Sequence, residues 1–370
     1  MTIYLVLIAF ILGSASMQKQ LKRTYLVLCL FFIWILIAFR SYLIGNDTIS
    51  YVNLFPVLAS YPLSMYGNNL FSILFTKNRF EYGYVLFNKI IYYFSKNPRW
   101  LLIISAALVV ILLGYTIYRY SKNPSLSLVI FVTMGFMAGT MSQIRQYIAW
   151  AICVYSIKFI IDNKPAKFIC FTIIAMLFHI SAIIFLPLYW LSKIKLTPKS
   201  GTLFAIITLP LFIFFNRFSA LTSSLIRSYN NYEEQMVDNG TTGYLSITVN
   251  LITFILIFIL AIYLMKVNKE NGGSRNKLTN LLLWMLMCSF VVLILSYKFS
   301  QFSRLVSYFT CSIMFLIPNE LDNPEKSTVK QVILILMVVF LILNFSVTNI
   351  LRPEWSNIIP FKFMSSWWGY

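Results

Sequence analysis

The chain has 370 residues, 59% hydrophobic and only 11% charged, with 30 Lys and Arg against 11 Asp and Glu for a formal net charge of +19. Soluble domains are about a quarter charged, so this composition excludes a soluble enzyme, a disordered tail protein and a nucleic-acid-binding domain. The basic residues sit in short breaks between apolar runs, where membrane proteins place their orienting charge, and the chain reads as all-α and polytopic, one transmembrane domain over residues 1–370.

A membrane helix needs about 20 mostly apolar residues, because lipid offers backbone groups no partner. In chain order the apolar runs are 1–16, 24–39, 100–118, 126–139, 143–161, 167–191, 201–215, 245–265, 278–296, 305–317 and 331–347. The first lacks a charged leading region and is followed by Lys19, Lys22 and Arg23, so it reads as an uncleaved span and not as a signal peptide. The segment from Glu81 to Ser95 is amphipathic.

Orientation follows from alternate basic breaks: Lys19/Lys22/Arg23, Arg119/Lys122, Lys158/Lys164/Lys167, Lys193/Lys195/Lys199, Lys266/Lys269/Arg275/Lys277 and Lys326/Lys330. All are cytoplasmic only if the 167–191 run enters and returns, with His179 at its outer turn. That gives about twelve spans, between roughly ten and thirteen, both termini outside, and an outward-facing polar cavity. Residues 41–80, 216–243 and 348–370 then become extracytoplasmic, and Arg40, Asp47, Glu81, Arg145, His179, Lys298 and Arg304 lie at or beyond outer helix ends. The 216–243 loop mixes Glu233, Glu234 and Asp238 with Arg217, Arg227 and tyrosines; a sugar-binding surface and a membrane-interface belt both have that composition.

Four clusters are candidates for chemistry. Arg40 follows the second run and precedes Gly45, Asn46 and Asp47; it fits a snorkelling arginine above a simple turn, or a guanidinium gripping an anionic head group. Glu81 opens the amphipathic segment among aromatics, either as a charge favoured by the helix dipole or as a catalytic carboxylate or sugar ligand. Ser142, Arg145, Gln146 and Ala149 recur at helical i, i+3, i+4, i+7 spacing beside Gln143, with Cys153 and Ser156 continuing inward. That stripe is a packing face or a functional site, and the intramembrane arginine favours function. His179, the only histidine, is a satisfied core residue or a neutral imidazole able to take a proton from a sugar hydroxyl. Lys298 and Arg304 add outer-side cations for an anionic phosphate. The five cysteines, Cys29, Cys153, Cys170, Cys288 and Cys311, fall in apolar runs without a metal or disulfide spacing. With no DxD, HExxH, Walker loop or GxSxG motif, the sequence predicts a metal-independent protein without cofactor.

Arg40 to Thr48 followed by Tyr51, Glu81-Tyr82-Gly83-Tyr84, Gln143-Ile144-Arg145-Gln146 and Phe178-His179-Ile180-Ser181-Ala182 occur in that order. Together they resemble the EpsG family of bacterial exopolysaccharide proteins, a Wzy-like polymerase group serving exopolysaccharide, O-antigen or capsule. The resemblance implies a glycosyltransferase in the bacterial cytoplasmic (inner) membrane. Such a protein transfers a glycan from undecaprenyl pyrophosphate to a lipid-linked repeat unit at the outer face, with a chain-length regulator and a flippase as possible partners. It further implies pyrophosphate held by Arg145 and Arg40, His179 as preferred base with Asp47 or Glu81 as fallback, and Gln143 and Gln146 orienting oxygens; the later half matches no family motif, so Arg304 and Lys298 join the phosphate group by position alone. A lipid-linked oligosaccharide transporter and a membrane acyltransferase acting on the same glycan are the rival readings.

Overall fold

The computed structural model describes residues 1–67, 69–75, 78–214, 240–270, 276–298, 300–321 and 327–364. Among them the architecture is all-helical, with one isolated antiparallel bridge between Arg40 and Phe363. Five helices are long and apolar enough to cross a membrane: Arg99–Tyr120, Ile144–Ile161, Tyr244–Asn268, Lys277–Leu295 and Thr328–Leu351. A sixth crossing arises if the bent pair Pro124–Thr133 and Phe136–Ser142 is one span, and shorter apolar helices cover Thr2–Gly13, Thr48–Ser60, Pro165–Met176 and Ile180–Leu191.

Helix starts follow local chemistry. Pro124 opens its helix while the Asn123 side chain accepts from Leu126 N–H at 3.2 Å, and Asn276 accepts from Thr279 N–H at 2.8 Å. These side chains satisfy donors that a helix leaves open at its first turn.

The hub is Ile144–Ile161, with 78% of its residues buried. It packs on Pro165–Met176 and on Arg99–Tyr120, and the latter packs on Lys22–Ala38. Trp150 at its centre stacks with Phe136 at 5.5 Å and donates its indole N–H to Ser307 O at 2.9 Å, tying the hub to the 300–310 segment. By contrast Tyr244–Asn268 and Thr328–Leu351 are mostly exposed, and residues such as Ile259, Ile335 and Leu351 face outward. In a medium with no water to avoid, such faces suit contact with lipid.

Several apolar runs are less regular than their composition predicts. The 126–139 run is not one straight span: it breaks by 53° between Pro124–Thr133 and Phe136–Ser142, where Gly135 adopts φ +81°. Glycine takes this left-handed conformation without the steric cost a Cβ brings. The expected face running from Ser142 to Ala149 is divided, because Ser142 ends one helix and Ile144 begins the next. The 305–317 run consists of the 3-10 turns Ser300–Val306 and the short helices Ser307–Thr310 and Ile313–Glu320, the last with Pro318 inside it. The 41–80 region, expected to be extracytoplasmic, holds the helix Thr48–Ser60. The 167–191 run is two pieces, Pro165–Met176 and Ile180–Leu191, with His179 in the connection. Residues 216–239 and 365–370, including Glu233, Glu234, Asp238, Arg217 and Arg227, lie outside the described residues.

Residues 357–364 close the fold against residues 39–46. Ser41 N–H donates to Lys362 O and Met364 N–H to Phe39 O, both at 2.9 Å, flanking the Arg40–Phe363 bridge. Gly45 N–H donates to Asn357 O at 2.8 Å, and the Asn357 side chain donates to Leu43 O at 3.0 Å. This strap also receives the N-terminal helix, since the Tyr4 hydroxyl donates to Ile358 O at 3.2 Å.

Candidate active site

Glu81 immediately precedes the helix Tyr82–Phe94, and Arg145 sits in the first turn of Ile144–Ile161. The break at Gln143 ends the preceding helix and lets the hub helix start there. Arg145 Nη1 lies 2.6 Å from Glu81 Oε2, with side-chain exposures of 17% and 11%. The guanidinium also lies 5.0 Å from the Phe80 ring centroid and 5.7 Å from that of Tyr84, with Tyr51 acting on it from the Thr48–Ser60 helix. A short ion pair between aromatic walls, largely screened from water, is strong only while both partners remain. The other Glu81 oxygen accepts Ile180 N–H at 3.3 Å. One carboxylate therefore joins the starts of three elements.

That junction demands close approach. Tyr84 N–H donates to Leu177 O at 3.2 Å, and a Cβ on Gly83 would stand 2.7 Å from Leu177 Cβ and 2.8 Å from Leu177 O. Gly83→Ala is expected to force the Tyr82–Phe94 helix off the 177–180 segment. Thermal unfolding in detergent should register this as a loss of about 1–3 kcal/mol, accompanied by reduced activity because Glu81 leaves Ile180.

His179 follows in the same connection. Its Nδ1 lies 2.6 Å from Ser181 Oγ and accepts Ser181 N–H at 3.3 Å, and Ser181 Oγ is 3.1 Å from the Tyr308 hydroxyl. The charges that act on the ring are Glu81, Arg145 and Arg304. Arg304 is more open: its Nη1 lies 3.9 Å from Asp47 Oδ2, with side-chain exposures of 44% and 36%. Its backbone carbonyl accepts the Gln146 amide at 2.6 Å. The structure thus brings together Asp47, Glu81, Arg145, Gln146, His179 and Arg304, with Tyr51, Ser181 and Tyr308 as members the sequence did not single out for chemistry. Tyr308 carried a usable signal, standing one helical turn after Arg304.

Three expected residues stand apart. Arg40 is 1% exposed. Its guanidinium donates to the carbonyls of Ile37, Ile44 and Met141 and to Thr48 Oγ1. Its donors are turned into the protein and lie away from the Glu81–Arg145 pair. Arg99, unmarked in the sequence reading, completes that arrangement by donating to Arg40 O at 2.6 Å while lying 4.1 Å over the Tyr42 ring. Lys298 is exposed and rests 5.0 Å from the Phe212 ring, on the Pro198–Ile213 helix. Gln143 occupies the helix break, half-buried, where its backbone links the turns on either side. Among the described residues no group of three or more His, Cys, Asp or Glu has the arrangement of a metal site.

Apolar helices around a compact cluster of paired charges and one imidazole define a membrane-integral protein with an internal polar centre. The family model described as the EpsG family matches residues 23–363 of the 370. The chain belongs to the EpsG family, and with it to membrane proteins of polysaccharide biosynthesis of the polymerase type. No curated protein and no solved structure matches it.

Proposed function

We propose that this protein elongates a glycan carried on undecaprenyl pyrophosphate, transferring it to a lipid-linked repeat unit at the outer face of the bacterial cytoplasmic membrane. The observation that carries this reading is the convergence of two Arg–carboxylate pairs and the single histidine around the start of the hub helix, in a chain of the EpsG family. The alternating basic breaks in the sequence support placing that end outside, with about twelve crossings once the short helices are counted.

The two pairs divide the work. Arg145 and Arg304 supply the positive field for the pyrophosphate, whose charge grows as the sugar–phosphate bond breaks, and fixed donors aimed at growing charge lower the barrier. Glu81 has both oxygens engaged and holds Arg145 in place. Asp47 is paired loosely and is half-exposed. When a phosphate draws Arg304 away, Asp47 is released and takes the proton of the acceptor hydroxyl as the new glycosidic bond forms. Gln146 fixes the Arg304 backbone. The products are free undecaprenyl pyrophosphate and a glycan one unit longer that stays on the acceptor's lipid carrier, and a flippase and a chain-length regulator are the natural partners of such a step.

The test uses purified protein in lipid vesicles with lipid-linked repeat units of the source strain. Lengthening of the glycan is expected; translocation without lengthening would favour a carrier, and an acylated but unlengthened glycan would favour an acyltransferase. Asp47→Asn, which cannot take a proton, should lower elongation by about 100-fold or more while leaving thermal stability within about 0.5 kcal/mol, since exposed pairs contribute little.

A further inference from the structure

The orientation of one hydrogen-bond chain is fixed by a backbone group. Ser181 N–H, which can only donate, points at His179 Nδ1 from 3.3 Å. That nitrogen therefore carries a lone pair and no proton. Ser181 Oγ, 2.6 Å from the same nitrogen, must then donate its own hydrogen to it. With its proton committed, Ser181 Oγ receives the hydroxyl hydrogen of buried Tyr308 at 3.1 Å. The direction runs from Tyr308 to Ser181 to His179, and in a neutral ring the remaining proton sits on Nε2. That nitrogen has no protein partner among the described residues, and the cations whose charge acts on the ring are Arg145 and Arg304.

We infer that His179 is a hydrogen-bond donor to the substrate: its Nε2–H binds a phosphate oxygen gathered by Arg145 and Arg304, and Ser181 and Tyr308 are positioning residues that lock the tautomer. The inference rests on the polymerase reading above and replaces the sequence expectation that the histidine is the base. A base at Nε2 needs the proton on Nδ1, where it would confront Ser181 N–H and break both contacts to that residue. A ring charged at both nitrogens meets the same backbone N–H and adds a third positive charge beside two arginines. A neutral donor avoids both costs and adds a directed contact to the phosphate.

The chain contains one histidine, so protein labelled with ¹⁵N-histidine and purified without a histidine tag reports on this ring alone. Solid-state NMR in lipid bilayers is expected to place the proton on Nε2; a proton on Nδ1 in the resting protein overturns the inference. A functional arm compares His179→Gln, which restores an N–H near the Nε2 position, with His179→Phe, which does not. Binding of undecaprenyl pyrophosphate to protein in nanodiscs should stay within about threefold of wild type for His179→Gln and weaken by about tenfold or more for His179→Phe. Ser181→Ala should raise KM for the lipid-linked donor more than it lowers kcat, and Ser181→Thr, which keeps the hydroxyl, should restore it. If His179→Gln binds undecaprenyl pyrophosphate normally yet does not elongate, the histidine is a base and the inference fails while the polymerase reading survives. If wild type neither binds undecaprenyl pyrophosphate nor lengthens a glycan, the polymerase reading itself falls. Should a variant be too unstable to assay, the NMR result on the wild type decides.

Discussion

Arg145→Met should abolish elongation, with single lipid-linked repeat units accumulating in cells that still make the protein. The expected fall in rate is about 100- to 1000-fold, the usual cost of removing one donor from a developing negative charge. The same change also strands Glu81, which is mostly buried and bonded on its other side to Ile180, so stability should drop by about 3 kcal/mol as well. A double variant separates the two effects. Combining Arg145→Met with Glu81→Gln removes both charges, and an ion pair replaced by neutral groups of similar volume costs far less than one broken in half. Thermal unfolding of the double variant should return toward wild type while elongation stays lost. Recovery of elongation together with stability would show that Arg145 serves only to neutralise Glu81.

Arg40→Leu should do the opposite, costing stability first. The side chain is fully enclosed, and removing it leaves the Ile37, Ile44 and Met141 carbonyls short of a charged donor. Hydrogen bonds to a charged group contribute about 1.5–3 kcal/mol each, and relief of repulsion from neighbouring Arg99 offsets part of the loss. A net destabilisation of about 2–4 kcal/mol is expected, read as thermal unfolding in detergent. Whatever protein remains folded should bind undecaprenyl pyrophosphate with near-normal affinity. Arg304→Ala is the control: half-exposed and loosely paired, it should leave the unfolding temperature almost unchanged and reduce binding. If Arg40→Leu folds normally and loses binding, Arg40 belongs with the phosphate groups after all.

Arg40 and Arg145 show where the sequence stops being informative. Each is a cation at the end of an apolar run, and along one dimension the two look alike. What separates them is tertiary: one meets a ring of carbonyls, the other a carboxylate from a helix 64 positions away. Charge placement sufficed to nominate Asp47, Glu81, Arg145, His179 and Arg304, because a charge beside lipid needs a reason that hydropathy reveals. Which cation pairs with which anion depends on how the helix starts converge, and Gly83 permits that convergence without announcing it. The stripe from Ser142 to Ala149 misled for a simpler cause. Periodicity assumes an unbroken helix, and the chain breaks at Gln143. Similarly, Leu305 and Val306 read as the start of a span although they close a 3-10 segment, since hydropathy counts side chains and not the pitch of the backbone.

The strap formed by residues 357–364 has a consequence for biogenesis. Leu43 finds its partner in Asn357, 314 positions further along. A ribosome feeding helices into the bilayer in order therefore inserts the Asp47 segment long before the contacts that hold its neighbours exist. Until translation reaches residue 364, the turn carrying Asp47 lacks its clamp and the Asp47–Arg304 pair lacks a fixed base. A premature stop after Leu351 would leave nearly all the apolar helices made but the turn at residues 43–47 without the contacts from Asn357 that hold it.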